Sequence, residues 1–525
     1  MKYLLTRALI PLVLGILGTP AFAQVLTAKV TGGTVQGVAE NDIAVFKGIP
    51  FAAPPTGKNR WRAPQPVEPW SGVKSADHFA PACMQDPQML KFIGSAAGAS
   101  EDCLYLDVWT PAKAPGDKLP VMVWIYGGGF AAGATSSPTY AGDGLARLGV
   151  VQVNVSYRLG AFGFLADPAL SKESGKGSGN YGLLDQIAGL KWVRDNIAAF
   201  GGDPSNVTIF GESAGGISVS MLAASPEAKG LFERVISESG GSFGPPVRSA
   251  NSTAAGENVP TLAVAEAKGE QFLGKLGAKN IAEARAMPAE EIIKAQGPGL
   301  GSGFWPVDDG HVLLGDQYRL YSQGRFNDTP VLIGTNSDEG ASFVRGKTQP
   351  AKLEAMVRAQ YGQRADTILA AYPHATEKEA SRSAQDLMRD SLFGWSTWTW
   401  ARLQRQHGRN KAFVYYFDHR TPQTPDGAPH ASELPYVFRT LDVRGGNPLP
   451  QDAAVSDLMS RYWTNFAKTG DPNGPGLPKW PAFDEANQRA MVFDGNSGSA
   501  QPFPNLKMLK AMDAYFAWRR KSAAP

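Results

Sequence analysis

The sequence is short of everything that would mark a metal centre or a nucleic-acid surface. Its 525 residues include two cysteines and six histidines, and neither cysteine has the paired Cys or His spacing of a zinc site. An excess of one charge is also missing, with 51 Lys and Arg against 48 Asp and Glu. No Lys/Arg cluster supplies the basic patch that nucleic acid or an anionic lipid surface requires, and Arg519-Arg520-Lys521 reads as a solvated helix end. Beyond the N-terminus no apolar run approaches the length of a membrane span. No internal repeat is evident. What remains is an ordinary globular composition, 43% hydrophobic, which is enough for a substantial core.

The first residues have a different character. Lys2 and Arg7 form a basic segment, Ala8 to Gly18 an apolar one, and Ala21-Phe22-Ala23 has the small residues of a signal-peptidase site. Cleavage is predicted after Ala23, giving residues 1–23 as signal peptide and 24–525 as one domain of a periplasmic or secreted protein. Without Lys2 and Arg7 the balance is 49 basic against 48 acidic residues. A retained anchor helix is disfavoured because the apolar run is short and ends in Gly18-Thr19-Pro20. Position 24 is Gln, so a bacterial lipid anchor at that site is excluded. Export implies an oxidising compartment, and Cys83 and Cys103 are expected to pair. The bond would close the loop Met84 to Asp102 and stabilise the fold by roughly 3 kcal/mol if unstrained; two free thiols are the alternative.

Residues 26 to 46 alternate short β-type runs with Gly32-Gly33 and Asn41-Asp42, which suggests a hairpin or edge strands. The proline-rich stretch that follows excludes regular structure, and Trp61 and Trp70 are expected to pin it to the core. Glu101 to Thr110, Leu119 to Tyr126 and Val150 to Tyr157 read as strands, and Tyr181 to Phe200 as an amphipathic helix. Asn206 to Glu212 is the next strand, then Val235 to Ser239, Pro330 to Gly334 and Phe413 to Phe417. Alternating strands and helices with short connections predict a large, mostly parallel sheet with helices on both faces. Ala250 to Leu300 and Gln349 to Arg409 are helical in pattern and look like insertions capping that sheet. A last helix, Phe503 to Lys521, presents Leu506, Leu509, Met512 and Phe516 as its buried stripe.

One stretch carries chemistry most clearly. Gly211-Glu212-Ser213-Ala214-Gly215 joins a strand to an apolar, proline-free run, matching the nucleophile elbow of α/β-hydrolases. Gly240-Gly241-Ser242-Phe243-Gly244 fits the same pattern, but Pro245-Pro246 follows at once and would break a helix, so Ser242 reads as a loop residue. A serine hydroxyl needs a base and an orienting acid, in the chain order serine, acid, histidine for this fold. His374 and His407 lie in helical insertions and His311 precedes the strand from Pro330 that is expected to carry the acid, which leaves His419 and His430. The loop around His430 can reach over the sheet edge, whereas His419 closely follows a strand. Asp338 and Glu339 both follow the strand from Pro330; Asp308 and Asp309 are weaker alternatives. Gly127-Gly128-Gly129-Phe130 ends a strand with exposed backbone N–H groups, as an oxyanion hole requires, although an ordinary glycine turn has the same pattern.

Several longer motifs carry a family resemblance: Gly48-Ile-Pro-Phe, Glu101-Asp-Cys-Leu-Tyr-Leu-Asp-Val, Trp124-Ile-Tyr-Gly-Gly-Gly-Phe, Asn206-Val-Thr-Ile-Phe-Gly-Glu-Ser-Ala-Gly and Ser337-Asp-Glu-Gly. With them, most of the mature sequence resembles the type-B carboxylesterase/lipase family, and within it the bacterial para-nitrobenzyl-type esterases. The resemblance implies an α/β-hydrolase fold with helical insertions capping an active-site gorge, and hydrolysis of a small-molecule ester without metal or cofactor. It implies Ser213 as nucleophile, Glu339 rather than Asp338 as acid, and His430 as base. Gly128, Gly129 and Ala214 would form the oxyanion hole, with Glu212 and Ser239 near the triad. Arg60–Glu101 and Arg158–Asp185 resemble the family's structural ion pairs. Phe130, Phe243, Trp305, Phe343, Phe393 and Trp395 are candidates for an apolar substrate pocket, though aromatic residues at such positions also build cores. A cholinesterase is disfavoured because the loop Met84 to Asp102 contains no Trp. The same fold resembles adhesion proteins that bind without hydrolysis, but those typically lack parts of the triad. An amidase would use the same residues.

Overall fold

A computed structural model describes residues 24–522 except 258, 301–302 and 444–447. The predicted signal peptide and its cleavage site therefore lie outside the described residues. The run Val121-Met-Val-Trp-Ile125 explains the architecture at its centre. All five side chains are buried, so this strand is covered on both faces, which is why its sequence is continuously apolar rather than alternating.

Among the described residues the main sheet has eleven strands. In chain order they are β1 (Val38–Glu40), β2 (Ile43–Pro50), β3 (Tyr105–Thr110), β4 (Leu119–Ile125), β5 (Val151–Val155), β6 (Gly202–Glu212), β7 (Arg234–Glu238), β8 (Val331–Asn336), β9 (Ala412–Phe417), β10 (Arg489–Asp494) and β11 (Ser497–Pro502). Their spatial order is β11-β10-β9-β8-β7-β6-β4-β5-β3-β2-β1. From β5 through β4 and β6 to β10 every pairing is parallel, and the strands outside that block pair antiparallel. The register sets Gly211 of β6 beside Ile125 of β4, and Glu212 beside Glu238 of β7. Helices Tyr181–Asn196, Ala214–Ala224, Trp395–His407 and Pro450–Thr469 pack against these strands. No described helix is long and apolar enough to cross a membrane.

The predicted hairpin is Thr27–Val30 against Gly33–Gln36, antiparallel, in a small separate sheet. The coil after β2 is fixed by its tryptophans: Trp61 Nε1 donates to Ala161 O and Trp70 Nε1 to Thr34 O. The strand expected from Glu101 begins only at Tyr105, because Cys103, bonded to Cys83, lies in the preceding coil. Asp107, at a polar position of that strand, is not solvent-facing. It is buried, accepts the Gly48 N–H at 2.8 Å, and is pushed up to about 6 by burial. Arg60 pairs with Glu101 and donates to the carbonyls of Ala284, Arg285 and Met287, tying the coil to the first helical insertion. Arg158 and Asp185 form a second, fully buried pair with contacts of 2.8 and 2.7 Å. The last helix, Leu506–Ser522, buries Leu509, Met512 and Phe516, with Leu506 only partly covered.

Candidate active site

The candidate residues converge at the carboxyl ends of β4, β6, β8 and β9, where ligands of open α/β sheets bind. Ser213 links β6 to the helix Ala214–Ala224 with φ +55° and ψ −124°. A non-glycine residue at positive φ is strained, and here its surroundings hold it: Ser213 N–H donates to Glu238 O and Ser213 O accepts from Ile217 N. Close backbone approach explains the neighbouring glycine, since a Cβ on Gly215 would lie 2.0 Å from Ile125 O. The glycine run after β4 is equally close, because a Cβ on Gly127 would lie 2.9 Å from Ser213 Cβ. Gly128 (φ +102°) and Gly129 (φ +63°) turn the chain beside the elbow. Ala214 is the first residue of its helix, so its N–H has no partner within that helix. Ser242 is buried in an irregular segment after β7 with no helix following it, so the elbow geometry occurs only at the first motif.

His430 Nε2 lies 2.9 Å from Ser213 Oγ, and its Nδ1 lies 2.5 Å from Glu339 Oε2. Glu339 Oε1 accepts from Ser239 Oγ, from Thr335 Oγ1 at 2.9 Å and from the Asn336 N–H at 2.7 Å. The neighbouring candidate points elsewhere, with Asp338 Oδ1 held by Arg382 Nη1 at 2.9 Å. His419 is buried at the end of β9, with Nε2 2.6 Å from Asp452 Oδ1. Asp309 accepts the N–H groups of His311, Val312 and Leu313 and so shapes a turn, while Asp308 lies in a bridge with Thr261. The loops carrying Glu339 and His430 are joined by Asp338 N–H to Ala428 O and by Ala428 N–H to Ser337 Oγ.

Four buried glutamates lie at or beside the site: Glu212 and Glu339 contact the imidazole, and Glu238 and Glu433 interact electrostatically with Glu212. Burial drives Glu212 up to about 7, with Glu339's charge adding to the effect and His430 opposing it. Burial likewise drives Glu238 to about 8, reinforced by Glu212 and opposed by a hydrogen bond from Trp463. Glu433 is held well above the usual range by burial and then by the charges of Glu212, Glu238 and Glu339. Glu339 goes the other way: burial would raise it, but His430 and the donors on its oxygens outweigh burial and lower it. For His430 itself burial opposes the charge, yet Glu212, 3.1 Å from Nε2, and then Glu339 overcome it and raise the imidazole to about 9. Sequence reasoning found Glu212 and Ser239 but missed Glu238, Glu433 and Asn336. Their only signal was proximity in the chain to Ser239, His430 and Glu339.

The aromatic candidates divide. Phe393 stacks on the His430 ring at 4.7 Å and Phe343 lies 5.0 Å from it. Phe393 sits in a π-helical turn, Asp390–Gly394, a local irregularity frequent at functional sites. Phe343 is 41% exposed, and Leu300, 43% exposed, lies 3.5 Å from where a Cβ on Gly129 would stand. Phe130 is fully buried between Phe164 and the half-buried Trp305, backing the glycine turn rather than offering a face. Two candidates are core residues. Phe243 is enclosed by Tyr321 and Trp400. Trp395 packs on Phe516 of the last helix and donates to Asp513. With their ring surfaces covered in this way, neither can line a pocket.

The carboxylesterase family profile matches residues 22–508. The chain is 37% identical over 507 residues to fumonisin B1 esterase of Sphingopyxis macrogoltabida, covering 93% of this chain and 91% of that protein. It is 36% identical over 483 residues to para-nitrobenzyl esterase of Bacillus subtilis, covering 90% and 95%. A solved PNB esterase superposes with a TM-score of 0.79 at 35% identity, covering 93% of this chain and all of that one. A Geobacillus stearothermophilus carboxylesterase superposes with 0.79 at 34%, covering 93% and 99%. The fold is that of the α/β-hydrolases. The chain belongs to the carboxylesterase family and is an enzyme of that family.

Proposed function

We propose that this enzyme hydrolyses small to medium, largely uncharged carboxylic esters through a Ser213–His430–Glu339 triad and an acyl-enzyme. The observation that carries the reading is one imidazole in contact with both the strained serine and a lowered, buried carboxylate. Ser213 Oγ attacks the ester carbonyl while His430 Nε2 takes its proton, and Glu339 stabilises the imidazolium that forms. The N–H groups of Gly128, Gly129 and Ala214 receive the developing oxyanion. The tetrahedral species collapses, the C–O bond breaks, and the alcohol leaves with the proton from His430. Water then gives its proton to His430 and attacks the acyl carbonyl, and collapse of the second tetrahedral species returns the proton to Ser213 and releases the acid.

The preference for uncharged esters is supported by the apolar surfaces of Phe343, Phe393 and Leu300 around the reacting groups. We further propose export with cleavage after Ala23, a reading the Cys83–Cys103 bond favours, and one catalytic domain over 24–525, which the single continuous main sheet supports. Hydrolysis of a nitrophenyl ester by wild type but not by Ser213→Ala tests the catalytic reading. If wild type turns over no ester, the reading fails.

A further inference from the structure

Asn336, the last residue of β8, is fully buried and touches both sides of the triad. Its main-chain N–H donates to Glu339 Oε1 at 2.7 Å. Its side-chain Nδ2 donates to Pro429 O at 2.9 Å and to Glu433 Oε2 at 2.5 Å. Pro429 immediately precedes His430 and has no N–H, so its carbonyl is the only main-chain hydrogen-bonding group it offers. That carbonyl also accepts from Ser432, which lies in the same loop and cannot fix the loop to the sheet. Asp338 and Ser337 tie Ala428 to the same strand end, and Asn336 adds a side-chain bond to Pro429 itself, the residue next to the imidazole.

We propose that Asn336 is a positioning residue that sets the separation of His430 from Glu339, holding the carboxylate by its main chain and the imidazole's loop by its side chain. The inference rests on the reading of Ser213, His430 and Glu339 as the reacting set. The side-chain chemistry suits the task. Aspartate at this position would lose the donor for Pro429 O and set a second carboxylate beside Glu433. Glutamine would bring a methylene into a site with no exposed surface. The bond to Glu433 fits a protonated carboxyl, whose neutral oxygen accepts from the amide without an uncompensated charge. The contacts that depend on this placement, 2.5 Å at Nδ1 and 2.9 Å at Nε2, are short enough that a small displacement of the loop breaks them.

The test compares wild type with Asn336→Ala and the near-isosteric Asn336→Asp, with Asn154→Ala as a control. Asn154 is a buried amide of β5 that donates to Tyr140 O, away from the triad. Active sites are titrated to completion with a nitrophenyl-releasing organophosphonate, and kcat per titrated site, KM and the pH dependence of kcat/KM are measured on a nitrophenyl ester. Both Asn336 variants are expected to lose about 10- to 100-fold in kcat per site, with KM within about twofold. The acidic limb of Asn336→Ala is expected to move to lower pH as His430 loses its pairing with Glu339, while Asn154→Ala keeps kcat per site and the limb. Unchanged kcat per site in either Asn336 variant, or an unchanged limb in Asn336→Ala, would overturn the proposal, as would a loss confined to the number of titratable sites or to thermal stability. Wild type that the phosphonate does not titrate would instead overturn the triad reading beneath it.

Discussion

Replacing Glu212 by Gln should move the pH dependence of the reaction, and the direction follows from the site's charges. Glu212 Oε1 lies 3.1 Å from His430 Nε2, the nitrogen that takes the Ser213 proton in the proposed mechanism. His430 is raised from 6.5 to about 9 although burial works against it, and Glu212 is the leading cause of the rise. That net rise corresponds to about 3 kcal/mol of preference for the imidazolium, at 1.36 kcal/mol per pH unit. Glu212 and Glu339 together must exceed that figure, since they also overcome burial, and with Glu212 the largest single charge acting on it, removing Glu212 should lower His430 by about one unit. In the proposed mechanism the active base is the neutral imidazole, so kcat/KM of wild type is expected to fall as pH drops through about 9. Glu212→Gln moves this limb to lower pH, and the ratio of variant to wild-type activity rises between pH 9 and pH 7. Below about 7 Glu212 is itself protonated and the difference fades. The assay is kcat/KM for a nitrophenyl ester from pH 6 to 10, read at a wavelength insensitive to nitrophenol ionisation. A limb displaced by less than roughly 0.3 unit, well under the one-unit shift expected from loss of this charge, would refute the reasoning.

Other consequences are as direct. Gly128→Ala sets a Cβ 2.2 Å from Ala132 O at φ +102°, which rebuilds the turn and should lower kcat by about 10²–10³-fold, the usual loss of one oxyanion donor. Phe343→Ala should change KM across esters of different size with little change in Tm, because the ring is exposed beside His430. Trp395→Ala should do the reverse, costing about 3–5 kcal/mol of stability through a core cavity while leaving KM unchanged. Replacing Cys83 and Cys103 by Ser should lower unfolding stability by about 3 kcal/mol in chemical denaturation, with kcat retained in the folded fraction.

The sequence disclosed most where local rules and the fold agreed. Ser213 was separable from Ser242 because a helix can follow one and two prolines follow the other. The parallel block was legible from apolar runs such as Val121 to Ile125, which are buried on both faces. The choice between Asp338 and Glu339 was not legible from the residues alone. It turns on Arg382, 44 positions away, which occupies Asp338 and leaves Glu339 to His430. His419 and His430 divide in the same manner, since Asp452 engages the first. Phe243 and Trp395 misled because an aromatic ring has the same apolar surface in a pocket wall as in a core; only Tyr321, Trp400 and Phe516 decide which. The buried glutamates escaped notice because nothing local distinguishes Glu238 or Glu433 from a surface carboxylate.

The central claim is that Ser213 becomes acylated. Rapid mixing of purified enzyme with a nitrophenyl ester under conditions that slow deacylation, followed by quenching and peptide mass spectrometry, tests it directly. The account predicts a burst of about one nitrophenol per chain, because acylation precedes hydrolysis, and an acyl group on the peptide containing Ser213, both absent from Ser213→Ala. Turnover without a burst, or an acyl group on a peptide that lacks Ser213, would contradict it.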